Sequence, residues 1–310
     1  DDYEQPIQKA INSVRSVAQE IIIKCSSIPE LRDEVLGVLP NLLKEENYAC
    51  RSNMARTAAW LWHIDKNIAI NFFLELFQNA IGFDYESACE SIRYFVNHNF
   101  AILNTYFQTA LNDTRKDHRT ASYVTLGYIR GDDGAKGLFE MALSNTEFHG
   151  QHIFHTAEEL FKEGKPLEQI QARKVFIRLL ENFHSDLAHC FYVLFLKQPP
   201  KSFKDLFPVL EKMMEFPETY QSRSYVTDFL GNCVQDNPID VLSLIRKMDQ
   251  QLITEDYPRE FPQNYINLLT GTYYAFQISK PKQTEYLDEC IALFNQALSM
   301  AEYRLVAQNV

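Results

Sequence analysis

"TYFQTALNDTRKDHRTASYVTLG", from Thr105 to Gly127, is an apolar-striped segment, a charged linker, and then a second segment of small residues opened by Arg119. Two further stretches superpose on it: "VLPNLLKEENYACRSNMARTAAWL" (Val38 to Leu61) and "LFPVLEKMMEFPETYQSRSYVTDFLG" (Leu206 to Gly231). Leu126-Gly127 follows Arg119 at offsets +7 and +8, and Leu230-Gly231 follows Arg223 at the same offsets, where Arg51 is followed by Ala58 and Ala59. The three arginines fall two and three periods apart for a repeat of roughly 34 to 35 residues, within the range of two-helix repeats. Such a unit is amphipathic and needs neighbours to cover its apolar face.

The rest of the chain reads the same way. Only 10 glycines occur in 310 residues, strand-like alternation is nearly absent, and apolar residues recur at i, i+3, i+4 and i+7. "FFLELFQNAI" (Phe72 to Ile81), "VFIRLLENF" (Val175 to Phe183) and "CIALFNQAL" (Cys290 to Leu298) illustrate the stripe. About sixteen helices of roughly 12 to 18 residues are expected. Ser27-Ile28-Pro29-Glu30 reads as a capping box, Gly164-Lys165-Pro166 as a stop followed by a proline start, and Asp236-Asn237-Pro238 as another start.

These stretches resemble HEAT repeats, a member group of the armadillo-like helical solenoids. Pro40 and Pro208 match the proline that bends the first helix of that repeat, Arg51, Arg119 and Arg223 its arginine, and Leu126-Gly127 and Leu230-Gly231 its closing pair. The units expected near Tyr85, Phe154 and Ala188 keep only the apolar spacing. The resemblance implies an all-α fold, a right-handed α-solenoid of about seven to eight helical hairpins. The whole of 1–310 is expected to form one such body, with 1–47 an N-terminal helical pair, 48–252 the central repeats and 253–310 the capping helices. The closing segment, "YLDECIALFNQALSMAEYRLVAQNV", is similar to the last helices of bacterial STAND-class ATPases, which implies a ligand-sensing region of a larger defence or signalling protein.

Four glycines in "LGYIRGDDGAKG" (Leu126 to Gly137) invite a phosphate-loop reading. Neither GxxxxGK[ST] nor GxGxxG after a strand is present, so the stretch is read as a turn: Leu126-Gly127 closes one helix, Gly131 to Gly134 reverses the chain, and the stripe resumes at Leu138-Phe139.

Lys plus Arg number 30 against 41 Asp plus Glu, a net charge of −11 with the cations dispersed. A nucleic-acid groove needs clustered cations, so nucleic acid is disfavoured and a protein partner is expected. The six cysteines, with no CxxC pair, read as reduced, mostly buried thiols. With no basic-then-apolar leader and no membrane-length apolar run, a cytoplasmic location and no membrane association are expected. The start at Asp1 is read as an excerpt of a longer polypeptide.

Candidate chemistry is sparse. "HGQHIFH" sets His149, His152 and His155 at i, i+3 and i+6, with Glu158, Glu159, His184 and His189 farther along; three histidines spread round one helix fit a polar contact face better than a metal. Trp60, Trp62, Tyr94, Phe95, Phe191, Tyr192, Tyr273 and Tyr274 are assigned mainly to the core, with one of each adjacent pair free to face outward. Arg51, Arg119 and Arg223 are expected to bond acids or carbonyls of the preceding linker and so tie successive units together. Convergence with Arg93, Arg130 and Lys174 would instead make an anionic-ligand site. No catalytic constellation, metal site or cofactor motif is found.

The function expected is protein recognition or scaffolding without catalysis, through a concave face, with Arg93, Arg119, Arg130, His149, His152 and Arg223 as partner-binding residues. Pro40, Arg51, Leu126, Gly127, Pro208, Leu230 and Gly231 are assigned to the repeat itself. Two alternatives stand beside it: a HEAT-like nucleic-acid-binding or DNA alkylation-repair glycosylase-type protein, with Asp65 near Trp60 and Trp62 as the candidate acid, and a self-assembling structural adaptor.

Overall fold

The structure, a computed structural model, describes residues 13–78, 84–114, 118–196, 199–215, 220–252, 261–279 and 283–299. All regular structure among them is helical, in sixteen α-helices joined by short 3₁₀ turns. The chain divides into two compact units, Asp1–Thr156 and Ala157–Val310.

The first unit carries α1 (Val14–Lys24), α2 (Arg32–Leu42), α3 (Tyr48–Thr57), α4 (Lys66–Gln78), α5 (Tyr85–Phe95), α6 (Asn104–Leu111), α7 (Thr120–Arg130) and α8 (Ala135–Leu143). α9 (Thr146–Glu163) runs across the division of the chain. The second unit holds α10 (Pro166–Glu181), α11 (Ala188–Leu196), α12 (Phe203–Met213), α13 (Tyr220–Cys233), α14 (Pro238–Leu252), α15 (Phe261–Ile278) and α16 (Thr284–Ser299).

Within each unit, helices two apart in sequence pack side by side. α3 lies between α1 and α5, and α5 between α3 and α7; in the second unit α13 lies between α11 and α15, while α12 contacts α10 and α14. Each amphipathic stripe is thereby covered by the next hairpin, the only way a short two-sided helix buries its apolar residues. Phe73, Phe95, Tyr106 and Phe107 are fully buried in the first unit, and Phe176, Phe191, Phe195 and Phe203 in the second. Each such ring stabilises its unit by about 1.5–3 kcal/mol relative to exposure.

Polar contacts between helices repeat the sequence period. Asp84 N–H donates to Ser52 Oγ across 32 residues, Ser91 Oγ to the Ala55 carbonyl across 36, Tyr123 Oη to the Cys89 carbonyl across 34, and Lys247 Nζ to Glu211 across 36. These four bonds each join helices two apart in sequence, at separations close to the period read from the sequence.

Boundaries follow local chemistry. Asn47 Oδ1 accepts the N–H groups of Ala49 and Cys50 and starts α3, and Pro166 and Pro238 open α10 and α14, as the sequence predicts. Three expectations need correction. Leu126-Gly127 does not close its helix: α7 continues to Arg130, and Gly131 (φ 78°) ends it, with Asp132 N–H donating to the Gly127 carbonyl in a Schellman arrangement. Leu230-Gly231 likewise lies inside α13, which runs to Cys233. No capping box forms at Ser27; its hydroxyl donates back to the Lys24 carbonyl, and two 3₁₀ turns, Cys25–Ser27 and Pro29–Leu31, replace the helix start. Gly131 to Gly134 is the turn read from sequence, both glycines being left-handed (φ 78° and 81°). Pro40 and Pro208 sit inside α2 and α12, each on an exposed face.

Candidate functional site

The first unit bears a groove of about 360 Å³ assembled from α1, α3, α5 and the 3₁₀ turn Ala58–His63. α3 stops at Thr57, and the chain tightens to three residues per turn. At that pitch positions three apart eclipse. Trp60 and His63 therefore share the outward face, with ring centroids 5.8 Å apart, while Leu61 between them is fully buried. Two serines from neighbouring elements hold this turn: Ser26 Oγ donates to the Trp60 carbonyl (2.8 Å), and Ala59 N–H donates to Ser91 Oγ (3.1 Å).

One wall is Trp60, 42% exposed, and another is Tyr94 on α5, 50% exposed. Trp62 also lines the groove and stacks on buried Phe95 (5.8 Å, 16° between planes). Tyr94 and Phe95 are adjacent on one helix, about 100° apart, so one ring faces out and the other enters the core.

Cations stand over these rings. Lys24 Nζ lies 5.8 Å from the Trp60 ring, and the Arg93 guanidinium 4.9 Å from the Tyr94 ring. Glu20 organises the α1–α3 side: it accepts from Lys24 Nζ (2.6 Å), Arg56 Nη2 (2.9 Å) and Asn53 Nδ2 (3.1 Å). Burial raises the Glu20 pKa, and the bonds from Lys24 and Asn53 with the Arg56 charge outweigh it, leaving the carboxyl below its ordinary value. On the α5 side Glu90 lies 3.5 Å from Arg93 and 3.6 Å from Arg119.

The residues singled out in the sequence separate into distinct places. Arg93 and Arg119 meet at Glu90, and Arg119 is anchored to Glu86 (2.6 Å). Arg130 is exposed and donates to Asn97. Arg51 is 6% exposed and donates to the carbonyls of Leu43 and Glu45, in the linker before α3, and to those of Glu75 and Leu76 at the end of α4. The side chain of Arg223 lies outside the described residues.

His149 has no exposed surface and contacts the Leu111 carbonyl through Nε2 (2.9 Å), so it presents nothing to a partner; His152 is half-buried and His155 exposed. No group of three His, Cys, Asp or Glu able to hold a metal occurs among the described residues. Asp65 is exposed, and its Oδ1 accepts from the N–H groups of Asn67 and Ile68 at the start of α4, a helix-cap geometry outside the groove. The repeat glycines differ: a Cβ on Gly127 would stand 2.4 Å from the Phe100 ring, whereas one on Gly231 would meet open space.

A second cleft, of about 380 Å³, opens in the second unit between α13 and α15, where Asp228, Asn232, Asn264 and Asn267 surround Gly231 and Gly271. No helix among the described residues is long and apolar enough to cross a membrane.

Lys24, Arg56, Trp60, Trp62 and Tyr94 were not singled out as binding residues by sequence alone. Their signal was the period itself: Trp60 and Tyr94 stand 34 residues apart, the separation that also joins Ser26 to Trp60 and Tyr123 to Cys89.

No protein-family model matches the chain, and no curated protein and no solved structure matches it significantly.

Proposed function

We propose that this protein is a non-catalytic recognition module of the helical-repeat solenoid type, which binds a protein partner through side chains supplied by successive repeats. The observation that carries the reading is the groove of the first unit, where Trp60 and Tyr94 expose large aromatic surface beside Arg93. Exposed aromatic surface clustered in a groove marks an interaction site, and aromatic residues with arginine are the side chains that dominate binding energy at protein interfaces. The alternate-helix packing and the recurrence of cross-helix bonds at 32 to 36 residues support the repeat architecture. The likeness of the closing segment to STAND-class ATPases extends the proposal to the sensing region of a larger intracellular protein.

The test uses the 310-residue chain as bait in a cell extract, with cross-links mapped by mass spectrometry, beside an anisotropy titration with single- and double-stranded DNA. Recovery of a defined protein cross-linked within the first unit supports the reading. Tight, salt-sensitive DNA binding with no protein recovered overturns it in favour of a nucleic-acid protein. Concentration-dependent mass of the chain alone, with no other protein recovered, overturns it in favour of a self-assembling adaptor.

A further inference from the structure

We propose that the groove of the first unit binds an acidic peptide segment, seating one aromatic or large apolar side chain against Trp60 and Tyr94 and pairing neighbouring carboxylates with Lys24, Arg56 and Arg93. The inference rests on the recognition reading above and names the chemistry of the partner.

Charge is the first argument. The chain carries 30 basic against 41 acidic residues, yet the groove is lined by three cations, Lys24, Arg56 and Arg93, and one acid, Glu90. Counting Glu20 behind them still leaves a cationic excess in a molecule of net charge −11. A local field opposite in sign to that of the whole molecule directs an anionic group to that place.

Donor chemistry is the second. Among the described residues Lys24 makes one hydrogen bond, to Glu20, and keeps two further N–H groups; Arg56 uses Nε and Nη2 on Asn53 and Glu20 and keeps Nη1. The indole N–H groups of Trp60 and Trp62 make no hydrogen bond among the described residues. Lysine, arginine and tryptophan donate and do not accept. Thr57, at the floor, already donates its hydroxyl to helix carbonyls of Asn53 and Met54. Beside Glu90 and His63, the groove is dominated by donors, and its complement is an acceptor-rich anion with an apolar body.

Those properties also suit a nucleotide phosphate beside a stacked base, and the extent of the cationic surface decides between the two. A nucleic-acid strand needs a continuous cation track. Beyond Arg93 the surface instead alternates, with Glu90 between Arg93 and Arg119 and Glu86 paired with Arg119. One or two carboxylates satisfy the three groove cations, whereas a polyanion extended along this face would meet Glu86 and Glu90. The volume of about 360 Å³ suits one large side chain with its flanking backbone.

Both tryptophans of the chain line this groove, so intrinsic tryptophan emission reports the site alone. The experiment titrates the 310-residue chain with a short synthetic peptide bearing one phenylalanine flanked by aspartates and lacking Trp and Tyr. Parallel titrations use its Asp→Asn and Phe→Ser versions and oligothymidylate. The expected result is a saturable emission change with the acidic phenylalanine peptide, weakened about tenfold by neutralising its carboxylates, by Arg93→Gln or by Lys24→Gln, as fits one charge-assisted contact. Removing the phenylalanine, or Tyr94→Ala, should weaken it comparably, and raising salt should weaken the charged peptide only. The two charge variants lie on different helices, and circular dichroism confirms that each is folded. No saturable change, equal affinity for the neutral peptide, or tighter binding of oligothymidylate overturns the proposal. Failure here is distinguishable from failure of the recognition reading: a partner captured equally by wild type and by Arg93→Gln and Tyr94→Ala leaves the module a recognition protein and removes the groove as its site.

Discussion

Arg119 and Glu86, 33 residues apart, are joined twice: the main-chain N–H of Arg119 donates to Oε2 at 2.9 Å, and its Nε donates to Oε1 at 2.6 Å. Arg51, which the sequence pattern aligns with it, makes no such pair; it is buried and spreads its guanidinium over four backbone carbonyls of the α3 linker and the end of α4. Two arginines that the sequence pattern aligns thus perform different kinds of fastening. The energetic weight of each depends on burial, because a buried donor left without its acceptors is costly and an exposed ion pair is weak.

Arg51→Ala is therefore expected to destabilise the first unit by about 3 kcal/mol, leaving several buried carbonyls unsatisfied. Arg119→Ala should cost only about 0.5 kcal/mol, its side chain being 47% exposed in the pair. Arg51→Lys should recover less than half of the loss, since an ammonium cannot span the guanidinium's separate acceptors. Urea titration followed by tryptophan emission reads the first unit, where Trp60 and Trp62 both lie.

Gly127→Ala should destabilise by about 1–3 kcal/mol, because the added methyl meets the Phe100 ring, itself stacked on Phe107 at 5.0 Å. Gly231→Ala, on a helix with open space at that position, should be neutral or stabilise by up to about 1 kcal/mol. Thermal midpoints of the two variants check the contrast. Combining Phe100→Leu with Gly127→Ala should cost less than the sum of the two single changes, because the smaller side chain relieves the clash.

Glu20 gives a pH dependence of known sign. Its folded pKa lies below the ordinary glutamate value of 4.5, so it binds fewer protons folded than unfolded in the acid range. The stability it contributes is complete above that ordinary value and is lost as pH falls through the lower folded value. Glu20→Gln should lower the thermal midpoint at pH 7, and the difference from wild type should shrink towards zero as pH falls below about 4. A constant difference from pH 7 to pH 3 would mean that the loss does not come from ionised Glu20, and the lowered pKa would be contradicted.

The thiols should divide five to one. Cys50, Cys89, Cys190, Cys233 and Cys290 are buried and Cys25 is partly exposed. Burial raises the pKa of Cys50 and Cys89, and pushes Cys190, Cys233 and Cys290 up to about 11. Thiolate is the reactive form, so a disulfide reagent at pH 8 should modify one thiol rapidly in the native protein and all six after denaturation. Fast labelling of two or more native thiols would contradict this burial pattern.

Periodicity within short segments determined most of the secondary structure. The amphipathic stripes, the proline starts at Pro166 and Pro238 and the reversal at Gly131 to Gly134 are local matters of side-chain spacing and allowed φ, legible without neighbours. The recurrence of roughly 34 to 35 residues was legible for the same reason, since equivalent helices need equivalent residues. Tertiary structure alone decided which arginine is buried, which glycine is crowded and which aromatic faces out. Gly127 and Gly231 share one pattern, yet only Gly127 has a Phe100 ring against it. Trp60 and Tyr94 belong to the aromatics assigned mainly to the core, with one of each adjacent pair free to face outward. Which ones do was decided by packing: Ser26 and Ser91 hold the 3₁₀ turn that sets Trp60 outward beside Lys24, and Tyr94, not Phe95, is exposed. Helix formation depends on residues within a few positions of one another, whereas a groove depends on residues a full repeat apart, and their contacts arise only when the helices pack.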